Sequence, residues 1–178
     1  MVRVGMSLAL AKWVYNQRGR IFMPKITEKL EEILEKREFV SIATTGPEGQ
    51  PNSVPKFFYR GKGKFLYLLD YVVGKTISNL RENPKASISF MDLDTLEAYR
   101  LNGTAKIIER GPVFDAVLKG WGEKLVQLST DRVIEAVRTG KRRSHYEMGM
   151  TEHLAVIKVR IENVVKIGRQ GDIWRETV

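Results

Sequence analysis

The sequence predicts a mainly β, α+β domain: a small closed antiparallel barrel of about six strands with flanking helices. Three observations predict it. Short runs rich in Val, Ile, Phe and Tyr recur along the chain, and several alternate apolar and polar residues with a period of two. Gly- and Pro-rich turn signals separate them, Gly46-Pro47-Glu48-Gly49 and Arg60-Gly61-Lys62-Gly63 among them. Helical spacing is confined to a few segments between or beside these runs.

In order along the chain, Ile26, Leu30, Ile33 and Leu34 follow helical spacing after Pro24 and a candidate Thr27 N-cap, which predicts an amphipathic helix from Lys25 to Lys36. Phe39 to Thr45 reads as the first strand, Gln50 to Arg60 as the second and Lys64 to Leu69 as the third, joined as a meander by the two turns above. Gly74 to Glu82 reads as a short helix ended by Asn83-Pro84. Two alternating strands follow. Ala86, Ile88 and Phe90 share one face of the first; Tyr99, Leu101, Gly103, Ala105 and Ile107 share one face of the second, opposite Arg100, Asn102, Thr104 and Lys106. Gly111-Pro112 ends that strand and starts a helix. Val113 to Gln127 and Asp131 to Arg138 read as two helices parted at Ser129-Thr130, followed by a polar connection and a final Val- and Ile-rich strand from Leu154 to Ile167. The organisation is an N-terminal arm or helix over 1–24, then one domain over 25–178 with a helical insertion at about 112–139.

Composition narrows the function. The 178 residues are 43% hydrophobic, enough for a sizeable core, and 29% charged. The absence of cysteine excludes disulfides, thiolate catalysis and Cys-containing metal sites, and fits a cytoplasmic protein better than a small secreted one. Met6 to Ala11 is apolar, but it is short and interrupted by Lys12, so an arm or helix ranks ahead of a signal peptide. No apolar run is long enough to span a membrane. The net charge of +9 is spread along the chain and interleaved with acids, with one dense cluster at Lys141-Arg142-Arg143. A solvated basic surface ranks first, a phosphate-bearing ligand second and nucleic acid a distant third.

Most catalytic signatures are missing. His145 and His153 are the only histidines, without an HExxH pattern, so no metal site is expected. Walker A, GxGxxG and GxSxG patterns are absent. No residue stands out as a catalytic acid, base or nucleophile, so any hard chemistry must come from a cofactor. One segment has the right physics to hold one. Gly74-Lys75-Thr76 lies between a strand and a helix, where free backbone N–H groups and the helix dipole attract an anion, with an ammonium and a hydroxyl at the same spot. A capped helix with a solvated lysine is the plainer account of the same residues.

The stretch from Gly49 to Asp92 combines Gly49-Gln50-Pro51, Pro55, the apolar run Phe65 to Leu69, Lys75-Thr76, Asn79-Leu80, Asn83-Pro84 and the alternating run Ala86 to Phe90. This ordered set resembles the core of the FMN-binding split β-barrel family that includes pyridoxamine 5′-phosphate oxidase. With its neighbours, the resemblance covers roughly Lys25 to Glu109 and, by position, the last strand.

The resemblance implies a homodimer with FMN at the subunit interface. It implies that Gly74, Lys75 and Thr76 grip the FMN phosphate, Lys75 carrying the charge because Thr76 stands where relatives have lysine. It further implies that Asn52, Ser53, Val54, Pro55, Lys56 and Phe57 border the isoalloxazine ring, that Leu69 and Asp70 flank the ribityl chain, and that Arg100 stands near the ring. A basic group there would stabilise the reduced, anionic ring. Ala98 replaces the glutamine that the oxidase carries beside the arginine, and the C-terminal Trp174-Arg175 lacks the oxidase's spacing and proline. The expectation is therefore a relative of the oxidase, an FMN-dependent oxidoreductase acting on a small-molecule substrate or with a nicotinamide donor. Deazaflavin F420, haem, and flavin binding without turnover are the alternatives.

Overall fold

The computed structural model describes residues 28–71, 74–140 and 154–177. The N-terminal 27 residues and the Lys141-Arg142-Arg143, His145 and His153 positions therefore lie outside the described residues.

Helix α1 (Glu28–Glu35) turns Leu30, Ile33 and Leu34 into the core, as their three- and four-residue spacing requires. Its outer carboxylates also reach the barrel: Glu35 and Glu31 accept from the backbone N–H groups of Gly61 and Gly63. Strands β1 (Phe39–Thr45), β2 (Pro51–Lys62) and β3 (Phe65–Asp70) form the expected meander, and the turns between them place Gly49 and Gly63 at positive φ. Helix α2 (Lys75–Glu82) leads into β4 (Lys85–Asp92) and β5 (Glu97–Ile108). Helix α3 (Pro112–Thr139) precedes β6 (Ala155–Ile167) and β7 (Ile173–Thr177).

The sheet order is β3-β2-β1-β4-β5-β6-β7, and β3 also pairs with β6, closing six antiparallel strands into a barrel. β6 is the hinge of this closure. Its first half pairs with β3 from Ala155↔Asp70 to Arg160↔Phe65, while β7 takes over the same edge further along, from Asn163↔Thr177 to Ile167↔Ile173. Its other edge pairs with β5 over almost its full length, with a bulge between Asn102 and Gly103. The bulge needs glycine, because a methyl group on Gly103 would overlap the Arg160 carbonyl oxygen. β1 and β4 are joined only from Ser41↔Ser89 to Ala43↔Ser87, so the barrel is splayed beyond that short seam.

Two apolar cores result. The first fills the barrel with Val40, Ile42, Phe58, Leu66, Leu68, Ile88, Leu101, Ile157 and their neighbours, closed by α1 and α2. The second lies outside it, where Val117 and Trp121 of α3 pack on Leu69 and Val156, with Phe57, Tyr59 and Tyr67 around them. Lys124 fastens the helix. Its ammonium donates to the carbonyl oxygens of Phe58 and Tyr59 at 3.1 and 3.0 Å, where the β2–β3 register slips, and burial lowers its pKa.

Two sequence expectations need correction. The helical insertion is a single 28-residue helix instead of two. At the expected break the Thr130 hydroxyl donates back to the Val126 carbonyl, and the Gln127 side-chain amide donates to the Asp131 carboxylate, so both groups are satisfied on the helix they were expected to end. The final strand is also followed by a seventh, β7, whose five residues alternate too briefly to stand out in the sequence.

Gly103→Ala is expected to destabilise the protein by about 1–3 kcal/mol, since neither backbone at the bulge can move away. Gly122→Ala, in α3 with open space around the position, is expected to stabilise it by up to about 1 kcal/mol. Urea unfolding of both variants checks the pair; a Gly103→Ala variant as stable as wild type would contradict the tight β5–β6 approach.

Candidate functional site

A strand in a closed barrel sends alternate side chains inward and outward, and this sorts the predicted site residues into two groups. On β2, Asn52, Val54 and Lys56 stand opposite Thr44, Ile42 and Val40 of β1, the inward face. Ser53 and Pro55 stand opposite Ala43 and Ser41, the outward face, and the Ser41 and Ser53 hydroxyls meet there at 3.0 Å. Phe57 also points outward, but it is half-buried in an aromatic group with Phe39, Tyr71 and Trp121. The Trp121 indole N–H donates to the Tyr71 hydroxyl, and burial raises the pKa of that phenol against the lowering effect of the hydrogen bond. Leu69 lies fully buried under α3 in the same outer core.

The inward group makes a polar plug at the barrel end that α2 closes. Thr76 is 3% exposed, Asn79 1% and Thr44 3%, so each buried polar atom needs a partner. The Asn52 side-chain amide donates to the Thr76 hydroxyl at 3.1 Å and to the Thr44 hydroxyl at 3.3 Å, and the Asn79 amide donates to Thr44 at 3.2 Å. Four residues further along the same face of β2, the Lys56 ammonium meets the Asp70 carboxylate at 2.6 Å, with the acid side chain 1% exposed. Thr76, Asn52, Lys56 and Asp70 thus hold the predicted phosphate turn against the predicted ring strand from inside the barrel.

The outward side of that turn is open. Gly74 caps α2 without any side-chain hydrogen bond, the first turn carries no acid, and Lys75 is exposed. The first N–H groups of the helix therefore point at a region of positive potential. From here an outer face runs across six strands. One row reads Pro55, Ser41, Ser89, Arg100, Val165 and Arg175; the next reads Ser53, Ala43, Ser87, Asn102, Asn163 and Thr177. Small side chains dominate the β2–β1–β4 part, leaving the surface low and flat. A cleft of about 350 Å³ opens at the splayed seam between Thr44-Thr45 and Lys85-Ala86, reaching Ser87, Asn102 and Glu162.

Arg100 shares this face with Ser53 and Pro55, at about 14 Å from Pro55 if three strand spacings of about 4.8 Å are counted. The structure therefore joins the turn Gly74-Lys75-Thr76 to β2 through Asn52 and Thr76, and sets Arg100 apart on the outer face that carries Ser53 and Pro55. It directs Lys56 and Asp70 to each other, and Phe57 and Leu69 to α3. Sequence reasoning missed Asn79, whose helical position gave no sign of a buried partner, and Arg175, carried by the unread β7. Trp174 is 45% exposed on that strand. Among the described residues no group of three His, Asp or Glu can hold a metal ion, and no helix is long and apolar enough to cross a membrane.

Comparison with known proteins agrees with this architecture. No curated protein sequence matches the chain. Of solved structures, HupZ of Group A Streptococcus is 24% identical with a TM-score of 0.60, covering 81% of this chain and 95% of that chain. A heme binding protein from Mycobacterium smegmatis is 20% identical with a TM-score of 0.57, covering 88% and 60%. A pyridoxamine 5′-phosphate oxidase-related, FMN binding protein from Nostoc punctiforme is 14% identical with a TM-score of 0.53, covering 89% and 99%. At these identities the likeness is one of fold. The family model described as pyridoxamine 5′-phosphate oxidase matches residues 26–165, and with its barrel closed as above the chain belongs to the pyridoxamine 5′-phosphate oxidase family.

Proposed function

We propose that this protein binds FMN between two copies of the chain and works as an FMN-dependent oxidoreductase distinct from the vitamin B6 enzyme. The observation that carries the reading is the hydrogen bond from Asn52 to Thr76. It ties the open N-terminus of α2, with Lys75 beside it, to the strand whose outward residues are Ser53 and Pro55. An anionic group and a flat ring can thus be held side by side on one rigid surface.

The residues fit the cofactor. Uncapped helix N–H groups, an exposed ammonium and the absence of a nearby first-turn acid suit a phosphate. The low surface of Ser41, Ala43, Ser53 and Pro55 suits a planar ring approached by a second copy from the other side. Arg100 lies too far along the face for a ring seated on Pro55 of the same chain. When bound, FMN supplies one- or two-electron transfer. The chain itself binds, orients and shields: Lys75 and the backbone N–H of Thr76 at the phosphate, Ser53 and Pro55 under the ring, and the buried Lys56–Asp70 pair keeping β2 and the end of β3 in register. Haem or deazaflavin F420 on the same barrel is the second reading, favoured by the haem-binding mycobacterial protein of the same fold.

The visible spectrum of the purified protein, with FMN titrated into any colourless preparation, tests the reading. A flavin spectrum that stays with the protein through gel filtration supports it; a Soret band, or no uptake of added FMN, overturns it. Lys75→Ala is expected to weaken FMN binding about tenfold or more, from loss of a charge-assisted contact, as read by flavin fluorescence titration. Asn52→Ala is expected to weaken it less, by releasing Thr76 from its place, while leaving gel-filtration mass and circular dichroism unchanged. Unchanged affinity in Lys75→Ala would defeat the phosphate assignment.

A further inference from the structure

We propose that Arg100 and Arg175 together form an anion seat on the outer face of β5–β6–β7, which receives a carboxylate or phosphate group of the flavin's redox partner. The register sets the geometry. Arg100 pairs with Val165 of β6, and Val165 pairs with Arg175 of β7, so both arginines leave the same face on either side of one apolar residue. Their backbones stand two strand spacings apart, about 10 Å. Side chains of this length are long enough to reach across Val165, which is 5% exposed.

The charges there are not neutralised by the rest of the described chain. Both arginines are exposed, and neither makes an ion pair or hydrogen bond with a described residue. Several other basic residues differ: Arg37, Lys56, Arg81, Lys85, Arg132 and Lys166 each hold a carboxylate. The two rows of the face that contain the arginines carry no Asp or Glu. The nearest acid along β6, Glu162, is already bound by Thr104, Lys85 and Arg160. Two guanidinium groups that reach toward each other across Val165 repel unless an anion lies between them. Their planar forks match the oxygens of a carboxylate or phosphate. The buried apolar Val165 lowers the local dielectric and strengthens that contact.

Naming the anion as part of the substrate or electron donor rests on the flavin reading above; the seat itself does not. Inorganic phosphate and malonate, titrated calorimetrically at fixed ionic strength into the full chain, are the probes. The same titrations on a Lys75→Ala background remove the helix site as a second place for phosphate. The expected result is saturable binding of at least one probe, weakened about tenfold or more by Arg175→Ala and by Arg100→Ala, and only partly by Arg175→Lys. Stronger binding of phosphate assigns the seat to a phosphorylated substrate or nicotinamide dinucleotide; stronger binding of malonate assigns it to a carboxylic acid. FMN uptake by Arg175→Ala should equal that of wild type, so a failed flavin reading and a failed seat give different results. Equal probe binding in wild type and Arg175→Ala would overturn the proposal. So would loss of dimer mass in Arg175→Ala, which would assign the arginine to a contact between copies.

Discussion

Pairing of β6 along both of its edges is the constraint on which the remaining structure depends. β3 and β5 are far apart in sequence, and each finds its partner only when β6 inserts between them. That insertion converts an open sheet into a barrel and gives every strand one inward and one outward side. Only then does the period of two along each strand acquire a meaning, with Ile42, Leu68, Leu101 and Ile157 converging in one core. The same strand, longer than β3, leaves an unpaired stretch of edge. β7 takes it, and in doing so brings a second arginine level with Arg100.

Closure also creates a problem at the barrel end, where strand ends meet and apolar filling runs out. The solution is polar and is built from Thr44, Asn52, Thr76 and Asn79, with the Lys56–Asp70 pair alongside. Removing both charges from water costs several kcal/mol, offset only where geometry and hydrogen bonding are good. Such a plug is a poor source of stability but a good source of specificity. Asn52 can satisfy both hydroxyls only with α2 in one position, so the N-terminus of that helix is fixed relative to β2. A site that must hold a phosphate and a ring at a set separation gains from this rigidity.

The outer surface is divided by what covers it. Over β2, β3 and the start of β6, α3 lays down Val117 and Trp121 and is pinned by Lys124 to two carbonyl oxygens at a bulge. Over β1, β4 and β5 no described helix builds a comparable core, and the outward side chains of β1 and β4 there are small or polar. Among the described residues, one half of the barrel is covered by α3, and the other presents a surface of small and polar side chains. The proposed cofactor and anion positions both lie on this second half.

Much of this was legible in the sequence. Local alternation in Ala86–Phe90 and Tyr99–Ile107 specified strands and their buried faces, and Gly74-Lys75-Thr76 before a helical run marked the anion-binding turn. Those features rest on neighbours in sequence, where backbone geometry and periodicity act. The sequence could not say that Asn52 and Lys56 turn away from Ser53 and Pro55 toward the interior. Which side of a strand becomes inside is decided by pairing with distant segments. Nor could it show that Ser129-Thr130 continues a helix, since their hydroxyls are equally able to end one and to bond back along it. Arg100 read, through the family resemblance, as a basic residue near the flavin ring; its alignment with Arg175, 75 residues away, exists only because β6 lies between them. The sequence by itself determined the elements, the core positions and the turn chemistry, because these are local; tertiary structure alone decided the faces, the seams and the meeting of charges, because these depend on strand register and barrel closure.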